Sequence, residues 1–262
     1  MEFVSLEDFV DKLPIEEGDH VLVSNDIKKL YLKAMKLAKH NHQKFNHEIL
    51  IDLLIKKVGP QGTIAFPTYN YDFCHGVPYD IKNAPCQVGA LNNLAMQRSD
   101  FKRTKHPIFS FAVAGFYQAK MVALDNTDAF ASNSPFAFMK EHHFKNLIID
   151  ESLQHSFTFT HYVEQMSGIV KYRFTKNFIG DYIDVDGKVT KRTYSMFVRY
   201  LDRKVVNTVD PIIPKLIETN AVTMMDSGDS HIMVIDLYKD YDVMMDDIVN
   251  NKSRCLCDYD EI

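Results

Sequence analysis

Asn146-Leu147-Ile148-Ile149-Asp150, a polar loop from Glu151 to Ser156, and then Phe157-Thr158-Phe159-Thr160-His161-Tyr162-Val163-Glu164-Gln165 form the stretch on which the rest of the chain turns. The first run is short and apolar, bounded by polar residues, and reads as a buried strand. From Phe159 onward the apolar spacing suits a helix, with Ser156, Thr158 and Thr160 all acceptable N-caps. Strand, polar loop and helix in that order describe one unit of an α/β fold. In such a sheet ligands bind beyond the carboxyl ends of the strands, and His161 is expected just past one. His161 and Glu164, three apart, share a helical face, and Thr158 sits one turn earlier. A histidine titrates near neutral pH and can take a proton and pass it on. A neighbouring carboxylate orients the ring and favours its charged form. Spacing alone is equally met by an exposed histidine–glutamate pair, a common surface feature.

Working outward, strand–helix alternation recurs. His20 to Ser24 reads as a buried strand ending in the polar Ser24-Asn25-Asp26. Leu30, Leu32, Met35 and Leu37 then mark one helix, and Glu48 to Val58 a second. Gly59-Pro60-Gln61-Gly62 is a turn into the strand Thr63 to Phe66, stopped by Pro67. Helices are expected at Leu6 to Leu13, Leu91 to Met96, Tyr117 to Leu124 and Ala137 to Glu141, with a strand at Phe109 to Gly115. After the His161 helix the pattern changes. Asp186-Gly187 between Tyr182 to Val185 and Lys188 to Thr190 signals a hairpin, and Ala221 to Met225 with His231 to Leu237 a second antiparallel pair. A last helix spans about Tyr241 to Ile248, and the tail Asn250 to Ile262, with little pattern, is expected to be mobile. The expected architecture is one α/β domain over residues 1–262, with a central mixed sheet flanked by helices and C-terminal antiparallel hairpins.

Composition narrows the classes. The 262 residues are 46% hydrophobic and 25% charged, with a net charge of −5. That is an ordinary globular balance without the basic footprint of a nucleic-acid binder. No run of about 18 apolar residues offers a membrane span. Met1 to Ser5 carry no basic n-region and no apolar h-region, so a cytoplasmic location is expected. Cys74, Cys86, Cys255 and Cys257 form neither a disulfide framework nor a metal-ligand spacing, and no metal is expected.

The loop Thr68 to Val88 is long for a compact domain, and loops of that length are usually functional or disordered. Tyr69, Tyr71, Phe73 and Tyr79 argue for order. Aromatic rings with polar tips suit a sugar or nucleotide surface, and they suit packing onto a core equally well. Asp72 and Asp80 are candidates to hold an amine, or simply to form Asx-turns.

Four separated stretches in order carry a resemblance: Gly59-Pro60-Gln61-Gly62-Thr63 with Pro67-Thr68-Tyr69; Arg103-Thr104-Lys105-His106-Pro107-Ile108-Phe109-Ser110 with Gly115; Ser134-Pro135-Phe136; and Thr158-Phe159-Thr160-His161-Tyr162-Val163-Glu164. Together they resemble the aminoglycoside 3-N-acetyltransferase family from about Gly18 to Arg173. The resemblance implies acetyl-CoA as donor and a sugar-borne primary amine as acceptor, with His161 as general base supported by Glu164. It places CoA near Ser24, His106, Ser110, Ser134 and Phe136, and the acceptor near Tyr69, Tyr71, Asp72, Asn93 and Thr158. Read without it, His106-Pro107 is a turn and Ser134-Pro135 an N-cap with proline at N1.

One departure bears on the acceptor. Antibiotic-modifying members tend to carry Gly-x-Leu-x-Glu, where this chain reads Gly89-Ala90-Leu91-Asn92-Asn93, with Asn93 in the glutamate position. The loop Tyr69 to Cys74 instead looks like the surface-polysaccharide branch, whose acceptor is a nucleotide-linked (for example dTDP-linked) amino sugar. The rival readings are an aminoglycoside resistance enzyme, a metal-dependent hydrolase using some of the 11 histidines, and a non-catalytic binding protein. No HExxH framework supports the hydrolase. Cys74 as an acyl carrier lacks a basic partner in sequence. The expected partners are small-molecule substrates, with neither nucleic acid nor membrane; a homo-oligomer is compatible with the sequence.

Overall fold

The computed structural model describes residues 5–260. The stretch read above for a leader, Met1 to Val4, and the last two residues of the tail lie outside these. A seven-stranded sheet runs in the order Val222–Ser227, Ser230–Asp236, Lys145–Ile149, His20–Asn25, Thr63–Pro67, Phe111–Gly115, Lys102–Arg103. The central three strands are mutually parallel, and the flanking strands add antiparallel on both sides. The sheet is therefore mixed, as expected, and the C-terminal antiparallel pair extends the same sheet rather than forming its own.

Side chains along a strand alternate between faces, so consecutive apolar residues serve two cores. Val21, Val23, Ile64, Phe66, Leu147 and Ile149 pack against the helices Leu6–Asp11, Lys28–His40, Ile49–Val58 and Ala90–Gln97. Leu22, Ala65, Ile148, Phe111 and Val113 face the other way, against Pro135–Glu141, Phe159–Ser167 and Leu237–Asn250. This is why the central strands read as unbroken apolar runs: both faces are covered.

The hairpin signal at Asp186-Gly187 marks the turn correctly, but the strands it joins are much longer than read. They run Arg173–Ile183 and Val189–Arg199, paired along their full length. Polar and exposed residues such as Thr175, Lys176 and Asn177 hide the alternation. The loop Thr68 to Val88 contains a 3-10 turn, Asp72–His75, and a two-residue strand, Tyr79–Asp80, which joins the hairpin in parallel. The tail is also ordered through residue 260. Cys257–Tyr259 pairs with Val205–Asn207, and Leu256 and Cys257 are fully buried. A three-residue strand whose partner lies about fifty positions away leaves no local pattern to read.

Candidate active site

The three parallel strands end together at Asn25, Pro67 and Ile149. The chain leaves the His20–Asn25 strand toward Thr63–Pro67 on one side, and Lys145–Ile149 adds on the other. Such a reversal opens a crevice at the carboxyl ends. Here it is a crevice of about 310 Å³, walled by Ser24, Asn25, Pro67, Tyr69, Tyr71, Asn92, Glu151, His155 and Thr158 among others. Asp150 makes the turn at its edge. Its φ of 53° lies in the left-handed region, held because its carboxylate accepts from His231 N (3.0 Å) and Ser230 Oγ (2.8 Å). The chain is thereby sent across the strand ends, carrying Glu151 into the crevice. The polar loop expected there also contains a short helix, Leu153–Ser156, capped by Ser152.

The crevice floor is a set of side-chain amides. Ser24 Oγ donates to Asn146 Oδ1 (3.1 Å), and Asn25 Nδ2 to Asn92 Oδ1 (3.1 Å), while Asn92 Nδ2 reaches Val88 O (2.8 Å). Gly89 makes the last contact feasible: at φ 77° a Cβ there would lie 2.9 Å from Asn92 Nδ2. Asn92, not Asn93, faces the crevice; Asn93 spends its amide on Cys86 O and Gly89 O.

The substrate-side residues divide. Tyr69 and Tyr71 line the crevice, and Thr158 sits against the Tyr69 hydroxyl instead of capping its own helix. Asp72 is not part of the wall. Its two oxygens accept from Gln87 Nε2 (2.8 Å) and Asn70 Nδ2 (3.3 Å), which closes the loop on itself. Asp80 forms the Asx-turn reading, accepting from Lys82 N (2.9 Å). The carboxylate actually delivered to the crevice is Glu151, which sequence reading missed.

Of the five positions expected near CoA, only Ser24 reaches the crevice. His106 is fully buried, and its Nδ1 accepts from Ile108 N (3.3 Å) and Phe109 N (3.2 Å) to close a turn. Burial pulls its pKa down to about 4, against a smaller upward pull from Asp128. Ser110 Oγ is taken up by Thr68 O (2.8 Å), Thr68 Oγ1 (2.9 Å) and Arg103 Nε (2.9 Å). Ser134 caps the Pro135–Glu141 helix through Ala137 N (3.3 Å), with proline at N1. Phe136 is fully buried among Phe109, Phe111 and Phe130. These four support the site from inside and present no exposed face to it. His106-Pro107 and Ser134-Pro135 follow the turn and N-cap readings.

His161 lies one turn beyond Thr158 and is not itself part of the crevice wall. Its side chain is one-fifth exposed, and Phe130 packs edge-on at 5.9 Å. Nδ1 meets Glu164 Oε2 at 2.8 Å. Nε2 has no hydrogen-bond partner among the described residues. Glu164 is wholly buried and triply held: besides His161 it accepts from Tyr172 at Oε1 (2.8 Å), and Arg173 Nε lies 2.8 Å from Oε2. Burial raises the Glu164 pKa, but Arg173, His161 and Tyr172 together hold it below the ordinary carboxylate value. Arg173 is in turn fixed by Asn207 Oδ1. An ionised glutamate against Nδ1 keeps the tautomer that leaves Nε2 free to accept a proton.

The expected upward shift of His161 is reversed. Burial first, then the Arg173 guanidinium, lower its pKa below the ordinary value and outweigh the opposing pull of Glu164. The ring is therefore neutral at pH 7, the form a base requires. Cys74 is a poor nucleophile here, since burial pushes its thiol up to about 11. Arg173 and Tyr172 carried no signal in sequence, because the partner each finds is set by how the hairpin crosses the helix.

Among the described residues no three His, Cys, Asp or Glu side chains converge as a metal-ligand set, and no helix is long and apolar enough to cross a membrane.

An α/β sheet with a crevice at its switch point and a histidine–glutamate pair beside it has the geometry of a small-molecule site. The chain belongs to the aminoglycoside 3-N-acetyltransferase family, whose description matches residues 35–247. The same fold is seen in AAC-VIa bound to sisomicin (TM-score 0.74, 19% identity, 96% of this chain and 99% of that one). It is seen in the YokD protein from Bacillus subtilis (0.75, 17%, 95% and 93%). AAC-IIIb in a binary complex with CoASH shares it as well (0.72, 15%, 93% and 95%). No curated protein sequence matches the chain.

Proposed function

We propose that this protein is an acetyl-CoA-dependent N-acetyltransferase that acylates the amino group of an amino sugar carried on a nucleotide, with His161 as general base and Glu164 as its orienting partner. The observation that carries the reading is the buried Arg173–Glu164–His161 array. It keeps Glu164 ionised, fixes the imidazole and holds it neutral. Family membership supports acetyl-CoA as donor, as does the likeness to AAC-IIIb, solved with CoASH.

In the reaction His161 takes a proton from the sugar ammonium. The freed amine attacks the thioester carbonyl, the carbon–sulfur bond breaks as the tetrahedral centre collapses, and the second amine proton leaves with formation of the amide. The CoA thiolate takes up a proton. Direct transfer needs no enzyme-bound acyl group, in keeping with the protonated Cys74.

A second reading, modification of an aminoglycoside, is favoured by Glu151 in the crevice, a carboxylate suited to a cationic acceptor, and by the likeness to AAC-VIa, solved with sisomicin. The neutral amides Asn25 and Asn92 in the same wall favour a less highly charged sugar. Thiol release from acetyl-CoA against a panel separates the two. The proposal expects turnover with nucleotide-linked 3-amino or 4-amino sugars and little with aminoglycosides. The opposite ranking would replace the first reading with the second.

A further inference from the structure

Beside the crevice lies a larger trough, of about 760 Å³. Its floor is one face of the long hairpin. Phe174 pairs with Val198 and Lys176 with Met196 across the two strands, so these four side chains and Phe178 lie side by side. Toward the hairpin tip the same face is closed, because Phe73 packs onto Gly180, where a Cβ would come within 2.7 Å. Toward the base it lies open, with Phe174 38% exposed and its ring 4.7 Å from that of Tyr200.

The rim carries a cation. Lys176 borders the trough, against Asp202, which already faces Arg203, while Arg199, also at its edge, turns Nη1 to Val205 O (2.9 Å). Lys176 has no carboxylate partner among the described residues and rests its ammonium 5.3 Å from the Phe178 ring. Aromatic rings that can take a flat base, flanked by an unneutralised ammonium, match a nucleotide. A purely aliphatic ligand would leave that ammonium unused.

Tyr71 walls both the trough and the crevice. The crevice is of a size for a sugar ring and little more, whereas the trough lies well within the range of whole-ligand sites. We infer that the trough is a nucleoside-diphosphate subsite, holding the carrier of the acceptor sugar with its base on Phe174 and Tyr200 and its phosphates toward Lys176. This rests on the amino-sugar reading above and specifies the part of the acceptor that the crevice is too small to hold.

The test is calorimetric titration of the full chain, already saturated with CoA, with dTDP and with UDP. Binding is expected with CoA in place. Phe174→Ala and Lys176→Glu should each weaken it by about tenfold or more, the scale of a lost base-stacking contact. Thr175→Ala, on the other face of the same strand, should leave it unchanged. CoA affinity should be the same in all three variants, and exposed side chains of this kind can be replaced without loss of fold. Competition between the diphosphates and CoA, absence of binding, or indifference to both trough substitutions would overturn the inference. The thiol-release assay on the same preparations keeps the two proposals apart. Acetylation of free amino sugars without diphosphate binding removes the trough alone; diphosphate binding without acetylation of any amine removes the catalytic reading and leaves the trough.

Discussion

In the proposed mechanism the chemistry is concentrated at His161, and its surroundings make quantitative demands. As the base, His161→Ala should lose about two to four orders of magnitude in kcat, while acetyl-CoA binding persists. A folded variant with near-normal turnover on its acceptor would refute the assignment. The pH dependence follows from the shift direction. The folded pKa lies below the ordinary 6.5, so kcat/KM should rise with pH on a limb centred below 6.5 and be flat at neutrality. Glu164 is the group that pulls the imidazole pKa up, so in Glu164→Gln the limb should move to still lower pH, with a smaller loss of kcat than in His161→Ala. A limb that moves upward would mean that Glu164 does not face the imidazole in solution. His161 and Glu164 were legible in sequence because three-residue spacing on a helix puts them on one face. The sign of the pKa shift was not, because it depends on Arg173, nine positions beyond Glu164 and on another element.

At the scale of elements, the loop Thr68 to Val88 is locked from one side. Arg103 donates from Nε to Ser110 Oγ (2.9 Å), from Nη1 to Ala84 O (2.6 Å) and from Nη2 to Thr68 O (2.6 Å). Replacing it with methionine strands these acceptors, and Arg103→Met should cost at least about 2 kcal/mol in denaturant unfolding and raise acceptor KM as the crevice wall loosens. Tyr71→Ala touches the wall without touching that clamp, so it should raise acceptor KM and leave both stability and acetyl-CoA KM close to wild type. Equal effects on both substrates would reduce Tyr71 to packing. The loop's order was readable from its aromatic content. Which carboxylate faces the crevice was not: Asp72 looked open in sequence and is spent on Gln87 and Asn70, whereas Glu151 arrives from a different loop.

On the scale of the whole molecule, a buried carboxylate works against the fold. Asp240 is fully buried, and neither carboxylate oxygen has a hydrogen-bond partner. Burial, with Asp236 nearby, raises its pKa well above the ordinary 3.8. The folded chain therefore keeps a proton that the unfolded chain releases, and the wild type loses stability as pH climbs from the ordinary carboxylate range toward the folded pKa. Asp240→Asn removes that titration. Its melting temperature relative to wild type should rise steadily between pH 4 and pH 7; a constant difference would show that Asp240 is solvated. We also propose that the chain unfolds and is cleaved as one domain. A division between the α/β units and the C-terminal hairpins would fall near Lys176, which lies within a paired strand, and limited proteolysis should give no pair of stable fragments there.

What the sequence determined by itself was what local periodicity and turn chemistry encode. That covers the two-faced central strands, the amphipathic helices, the Asp186-Gly187 turn, the Ser134-Pro135 cap and the shared face of His161 and Glu164. Each needs only neighbours a few residues away. The tertiary structure alone decided which side chains meet across the molecule. Ser24 meets Asn146, Asn25 meets Asn92, Arg173 meets Glu164, and the trough opens where the hairpin base escapes the loop that covers its tip. The reason is shared: which segment covers a face, and which partner a buried polar side chain finds, depends on how distant segments cross, a relation that spacing along the chain does not carry.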